Sequence, residues 1–520
     1  MISRAILKDL IAGFSVFLLA LPLCLGIALA SHFPPSAGII SAILGGVLTF
    51  FLGGSPLTIK GPAAGLIVIA LGAVLELGHG NFQLGYERAL ACGFFAAIIQ
   101  IIIAYNKKAT FAEIMPPSVI HGMLAGIGII IVVKQFYVLT GTHPISTSLI
   151  QLIMNAPMAI IKENPIIFAI GLIALFIAIF WSKIKYLNNI PSTIVVIITV
   201  IPLSLLYDIS HEHIYRFGGT EYNLGPGYLV HLPLNFLEAI QFPDFSVVFS
   251  FSSIKYTIMF ALVGSIESLL TVCAVDTLSK VKKPSDLNKD LMSVGVGNLA
   301  CTLLGGLPMI AEIVRSKANI DYGAQSNKAN LFHGIFMLIA VLALAPVINL
   351  IPLSALAALL IFVGFKLASP RTFIHVYRIG LDQIVLFSTT LIITLVEDLL
   401  TGVIAGLILK LIFHKLRGYK FKDLFNPFIS VSIQEDRAFV TVNGPLTFVA
   451  YTKLKNLIMH ELDEHHTVIL NLAKTHFIDH TLVQKLNDLE HEIGASLFIV
   501  LGKEHLQPIY NHDLAARKAK

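Results

Sequence analysis

Charge is what this chain lacks most. Of its 520 residues only 13% are charged, about half the ~25% of a soluble domain, and that excludes an ordinary soluble fold for most of the length. Length alone would suggest three or four soluble domains, so composition overrides it. The net charge of +5 is small and calls for no nucleic-acid partner. Cysteine is scarce too: Cys24, Cys92, Cys273 and Cys301 all lie in apolar stretches, with no CxxC pair and no neighbouring His. They read as small buried hydrophobes and exclude a zinc ribbon or a dithiol redox site. No nucleophile–His–acid arrangement, metal-ligand spacing or phosphate loop can be assembled, so no enzyme active site, cofactor or metal centre is expected. Residues 10–30 are too long for a removable leader and lack a small-residue cleavage site.

What the chain has is apolar length: 56% of its residues are hydrophobic. A bilayer-spanning helix needs about 20 such residues, and runs of that kind lie near 10–30, 37–52, 62–77, 89–105, 119–137, 165–181 and 190–206. A second set lies near 254–278, 292–304, 308–320, 329–350, 353–368, 383–396 and 400–413. Cationic residues fall in every second connection: Arg4 and Lys8, Lys107 and Lys108, Lys183 and Lys185, Lys280, Lys282 and Lys283, Lys317 and Lys328, Lys366 and Arg371, then Lys415, Arg417 and Lys420. The intervening connections are nearly free of them, apart from the long one at 208–249. Cytoplasmic loops carry excess Lys and Arg, so the alternation predicts about 14 spans in the plasma (inner) membrane, with both termini cytoplasmic.

Two of the shortest runs follow a repeated break. Leu52-Gly53-Gly54-Ser55-Pro56 and Leu304-Gly305-Gly306-Leu307-Pro308 share the pattern Leu-Gly-Gly-x-Pro. Broken helices in corresponding positions of two halves mark the solute site of many transporters. Seven spans per half make the halves, about 1–207 and 254–414, an inverted repeat with two half-helices directed at one another. Unpaired N–H groups and the helix dipole make such ends anion sites. Gly61-Pro62-Ala63-Ala64-Gly65 follows the first break, its small residues allowing close backbone approach.

Charges within apolar runs are costly and usually line a cavity or pair. Lys60 and Glu312 each follow a break by four residues, and Arg315 lies one turn further. Glu267 sits in the middle of the eighth run, where an ionised carboxylate is hard to sustain, which makes it a candidate proton carrier. Lys60 with Glu312 is a candidate ion pair. His121, His333, Glu397-Asp398 and Lys134-Gln135 read as packing, capping or interfacial residues.

After Pro427 the pattern changes. Residues 429–433 and 438–442 read as a hairpin, 448–461 as a helix, 468–472 as a strand, 482–492 as a helix and 496–501 as a strand. Alternation of this kind predicts a small α/β domain over 428–513, following a transport domain over 1–425. The final Ala515-Ala516-Arg517-Lys518-Ala519-Lys520 reads as a solvated tail.

Several of these stretches resemble the SulP family of inorganic anion transporters with a C-terminal STAS domain. They are Asp9-Leu-Ile-Ala-Gly13, Ala20-Leu-Pro22, Gly61-Pro62-Ala63-Ala64-Gly65, Gly305-Gly-Leu-Pro-Met309, Ile313-Val-Arg-Ser-Lys-Ala-Asn-Ile320 and Phe477-Ile-Asp-His-Thr481. The resemblance implies an all-α, uracil-permease-like fold of seven plus seven inverted spans, a cytosolic α/β STAS domain, and a homodimer in the lipid bilayer. It implies an anion, sulfate or bicarbonate, held between residues 61–65 and Ile313, Val314, Arg315 and Ser316. The family's Arg on the tenth helix falls on Arg315, and Val314 stands where animal members often have Ser. The acidic residue of the eighth helix falls on Glu267, with Thr271 one turn on. Sodium-coupled bicarbonate members carry Asp there and threonines at positions matched here by Ile67 and Ile313, so coupling to H+ is favoured over Na+. A proton-coupled secondary transporter is the leading expectation. An uncoupled channel or exchanger, a sodium-coupled bicarbonate symporter, and a protein whose STAS domain is the working part are the alternatives.

Overall fold

The computed structural model describes residues 4–142, 149–184, 191–233, 235–279, 285–397, 399–419, 428–434, 437–464, 467–494 and 497–519. Asp398, Lys185, Lys280, Lys282, Lys283 and Lys420 lie outside these residues. Packing divides the chain into two units, one of residues 1–109 and 127–367, the other of 110–126 and 368–520. The expected boundary near 425 therefore does not coincide with the division by packing, because the last helices before it belong with the C-terminal sheet.

The first unit opens with α1 (Arg4–Ala30) and α2 (Pro35–Leu52), followed by the short strand β1 (Lys60–Pro62) and a one-turn 3-10 helix (Ala64–Leu66) running into α3 (Ile67–Gly78). Then come α4 (Phe82–Tyr105), α5 (Pro117–Leu139), α6 (Leu149–Ile161), α7 (Pro165–Phe180) and α8 (Ser192–Leu206). The hairpin β2 (His213–Phe217) and β3 (Thr220–Leu224) precedes α9 (Phe251–Ser279) and α10 (Leu287–Leu303). After the second break stand β4 (Met309–Ala311), α11 (Ile313–Asp321), α12 (Lys328–Ala343), α13 (Ala345–Ile348) and α14 (Leu353–Leu367). The second unit takes the start of α5 together with α15 (Pro370–Ile379), α16 (Leu381–Val396) and α17 (Leu399–Leu416).

A helix falls on each of the fourteen expected runs: α1 to α5, α7 to α12, α14, α16 and α17. Among the described residues, eight helical stretches are long and apolar enough to cross a membrane, and α6 with α7, bent by 113°, would add a ninth. Of the shorter helices, α3, α10 and α11 flank the two breaks. Asp9 explains why the opening motif is polar at that point. Buried to 1% exposure, it accepts the Gln325 and Ser326 N–H groups at 2.6 and 3.1 Å and the Ser326 hydroxyl at 2.6 Å, ordering the turn before α12.

In the second unit, β5 (Phe428–Gln434) pairs antiparallel with β6 (Arg437–Leu446). The strand β7 (Thr467–Ile478) runs parallel to β6 on one side and to β8 (Phe498–Leu501) on the other. The helices α18 (Tyr451–Glu464) and α19 (His480–Ile493) make the two crossovers, as parallel strands require. The expected tail is a correction. Arg517–Ala519 forms a strand, β10, between β7 and β9 (Leu506–Pro508), and Ala515 and Ala516 are buried. Two small apolar residues fill the core there, while the flanking cations had suggested solvent.

Candidate functional site

The two breaks meet. Their first glycines, Gly53 and Gly305, take φ of 75° and 85°, left-handed values that glycine adopts without strain, and each turns the chain out of its helix. The strands that follow pair antiparallel, with Lys60 opposite Ala311, Gly61 opposite Ile310 and Pro62 opposite Met309. Polar side chains from three helices hold this ribbon. Asn298 of α10 bonds both the N–H and the carbonyl of Met309, at 2.6 and 3.0 Å. Ser268 of α9 accepts the Ala311 N–H at 3.0 Å. Asn330 of α12 accepts the Lys60 N–H at 3.2 Å and donates to Gly45 of α2 at 2.9 Å. Buried backbone groups are thereby satisfied in irregular chain, the condition for such chain at membrane depth.

Arg315 lies in the first turn of α11 and is 1% exposed. Its Nη2 donates to the Pro62 carbonyl at 3.3 Å. Its Nε and Nη1 are buried and have no protein partner among the described residues. The guanidinium lies directly against Gly61, where a Cβ would collide with Nη1. Glu267 of α9 does the same to Gly65, its carboxylate filling the space a Cβ would need, with Oε1 unpaired. Thr271, one helical turn on, is buried. Two of the five small residues after the first break are thus glycine because a charged side chain rests on each.

Lys60 and Glu312 do not pair. Lys60 Nζ instead meets Asp290 Oδ1 of α10 at 2.6 Å, both side chains at most 3% exposed, with a further bond to Thr58. Asp290 also accepts the Ser55 N–H at 3.0 Å. The antiparallel ribbon puts Lys60 opposite Ala311 rather than Glu312, and α10 supplies a buried carboxylate on the lysine's side. Glu312 Oε1 accepts the Ala64 N–H at 3.4 Å.

The other expected residues divide by exposure. Pro62, Ala63 and Ala64 are buried in the ribbon and the turn after it. Ile313 and Val314 are 38% and 37% exposed. Ser316 is fully buried, its hydroxyl accepting the Ile59 N–H at 2.9 Å, which fastens α11 to the first break. His333, read as a packing residue, is fully buried on α12 with both ring nitrogens unbonded among the described residues. Asp290, Ser268, Asn298 and Asn330 escaped sequence reasoning. Of these, Asn298 and Asn330 carried a signal, as amide side chains within the ninth and eleventh apolar runs.

The arrangement is a buried cation with free donors against a glycine-rich turn, with two carboxylates in the same cluster. It can hold an anion and protons without any bond being made or broken. Comparisons with known proteins bear on the family and the fold. The profile of the sulfate permease family matches residues 6–390. A putative sulfate transporter of Bacillus subtilis, YvdB, is 25% identical over 493 residues, covering 94% of this chain and 89% of its own. The bicarbonate transporter BicA of a Picosynechococcus species is 25% identical over 409 residues, covering 78% and 69%. Among solved structures, the transmembrane domain of a cyanobacterial BicA superposes with a TM-score of 0.64 at 22% identity, over 78% of this chain and 98% of that one. The murine anion transporter Slc26a9 in its inward-facing state superposes with a TM-score of 0.68 at 16% identity, over 96% and 86%.

Proposed function

The chain belongs to the sulfate permease family, and from that premise we propose that it is a secondary active transporter of a small inorganic anion, sulfate or bicarbonate, driven by protons. The observation that carries this reading is Arg315, a buried guanidinium with two unbonded donors at the meeting point of the two breaks. The names of the relatives, sulfate and bicarbonate transporters, support the substrate class. The anion sits between residues 61–65 and α11, held by Arg315 and by the backbone N–H groups that open the two half-helices. Glu267, resting on Gly65, carries the coupling proton. Ile67 and Ile313 offer no oxygen to Na+, a hard cation that wants oxygen ligands.

The two halves act as an inverted repeat, and the antiparallel register of β1 with β4 supports a two-fold relation through the site. Transport proceeds by elevator-like movement of the helices that carry the site. The Lys- and Arg-bearing connections support cytoplasmic termini in the plasma (inner) membrane, and the protein works as a homodimer. The C-terminal sheet fits a STAS domain, which modulates the transport half.

The test is uptake into proteoliposomes of radiolabelled sulfate, bicarbonate and fumarate, with imposed pH or Na+ gradients. Saturable, pH-driven uptake of sulfate or bicarbonate is expected, and Arg315→Ala should weaken anion binding by about tenfold or more, the loss of a charge-assisted contact of about 1.5–3 kcal/mol. Unchanged affinity in Arg315→Ala would refute the assignment of the site. Uptake without counterflow would identify a channel, and uptake driven by Na+ alone a sodium symporter.

A further inference from the structure

Pairing Lys60 with Asp290 removes the lysine from the anion site and leaves Glu312 there. Its Oε1 accepts the Ala64 N–H at 3.4 Å. Ala64 opens the 3-10 turn that runs into α3, so this N–H has no acceptor in a preceding turn. It belongs to the set of donors an incoming anion would use. The protein has thus placed a carboxylate of its own where substrate oxygen should go, while Arg315 nearby keeps two buried donors unpaired.

The surrounding charges sharpen the point. Glu267 from α9 and Cys24 from α1 lie within electrostatic reach of Glu312, as does Arg315 on its own helix. His333 from α12 lies within reach of Arg315, and Lys60 on β1 is neutralised by Asp290. The cluster therefore holds one guanidinium and two carboxylates, with Glu312 in reach of both Arg315 and Glu267. With both ionised, the empty site has an excess negative charge and repels a further anion. Protonating both carboxylates and admitting a dianion restores the same net charge as the empty site, so loaded and empty forms cross the membrane with equal charge.

Resting on the anion site argued above, we propose that Glu312 is a resident anion: its carboxylate caps Ala64 in the empty transporter, and its protonation releases that N–H to the transported anion. Glu312 is then a second proton carrier beside Glu267, and the site is matched to a dianion such as sulfate taken up with two protons. The proton comes from the aqueous side the anion enters. It stays on the carboxyl during the crossing and returns to water on the far side, as the carboxylate recaptures the Ala64 N–H and the anion leaves.

The experiment is equilibrium binding of radiolabelled sulfate to the full-length protein in detergent from about pH 6 to about pH 8, with proton uptake on binding recorded in weak buffer. For the wild type, affinity should fall with rising pH by up to about a hundredfold per unit, the linkage of two protons, and about two protons should enter per sulfate. Glu312→Gln and Glu312→Ala should halve the logarithmic slope to about tenfold per unit, take up about one proton, and bind sulfate more tightly than wild type at the alkaline end. An unchanged slope in both variants overturns the proposal, as does a wild type that takes up no more than one proton, a count that decides even if neither variant folds. Wild type that binds bicarbonate and not sulfate overturns the dianion assignment. Arg315→Ala separates the two levels: lost sulfate binding there with an unchanged slope in Glu312→Gln removes only the resident anion, whereas intact binding removes the site itself.

Discussion

Replacing Gly65 by alanine tests whether Glu267 works where it lies. The added Cβ would fall closer than 3.0 Å to both carboxylate oxygens and to the carboxyl carbon of Glu267, separations that Cβ atoms do not adopt. Gly65 lies in a 3-10 turn and outside the left-handed glycines, so the backbone accepts alanine. The obstruction is the far end of a flexible side chain, which can rotate away at about 0.5–1.5 kcal/mol for an off-rotamer torsion. The restricted unfolded chain returns about 0.4–1 kcal/mol. Net stability should therefore change by less than about 1 kcal/mol, with a melting temperature close to wild type in detergent. Function should not be spared, because the displaced carboxylate leaves the site. Gradient-driven anion accumulation in proteoliposomes should fall well below that of wild type, and a second substitution, Glu267→Asp, one methylene shorter, should restore part of it. Gly38→Ala is the structural contrast, since its Cβ meets the Cys24 backbone carbonyl and must separate α1 from α2, lowering the melting temperature. Wild-type accumulation by Gly65→Ala would refute the placement of Glu267 in the coupling path.

Other consequences follow from buried charge. Lys60→Met strands Asp290 in the interior and should destabilise the protein by about 3–5 kcal/mol, whereas Lys60→Met with Asp290→Leu should recover most of that loss; equal melting temperatures for single and double variants would contradict the pair. In the C-terminal unit, burial lowers the His480 imidazole to about 4, below the ordinary ~6.5 of the unfolded chain. The unfolded state binds the extra proton between those values, so stability falls as pH drops from about 6.5 towards 4, by up to about 3 kcal/mol. His480→Asn should flatten this dependence in thermal unfolding of the full chain between about pH 7 and about pH 5. Asp479 acts lower on the scale. Burial opposes its charged form, but Lys410, His414 and the Leu482 N–H outweigh that and hold its carboxyl well below the usual range. Its contribution is present above the ordinary carboxylate value of about 3.9 and is lost only in stronger acid. Asp479→Asn should weaken the start of α19 at neutral pH, read as faster hydrogen exchange at Leu482.

The helices were legible because lipid leaves few options: an apolar run of sufficient length has to be one. The breaks were legible through Leu-Gly-Gly-x-Pro, since glycine and proline act locally. Partner choice was not. Lys60 and Glu312 occupy equivalent places in the two breaks and suggested a pair, but the ribbon register turns them apart and Asp290 arrives from α10. The helix α6 was missed because it is amphipathic and exposed along one side. The β2–β3 hairpin carried a signal in Gly218-Gly219, hidden inside a long polar connection. The terminal strand β10 was misread because its lysine and arginine outweighed two small alanines in composition, whereas in the sheet the alanines decide. Arg315 and Glu267 stood out in sequence as charges in apolar runs, but their contact with Gly61 and Gly65 is visible only once the two breaks are folded together.

The central claim is proton-driven transport through the site at the two breaks, and uptake by wild type and Glu267→Gln under an imposed proton gradient tests it most directly. Wild-type proteoliposomes with an acidic exterior should concentrate radiolabelled sulfate or bicarbonate above the external level, and collapse of the gradient with an ionophore should release it. Glu267→Gln should fold and exchange labelled for unlabelled anion but concentrate far less of it. Equal accumulation by the two proteins, or wild-type uptake indifferent to the proton gradient, would contradict the account.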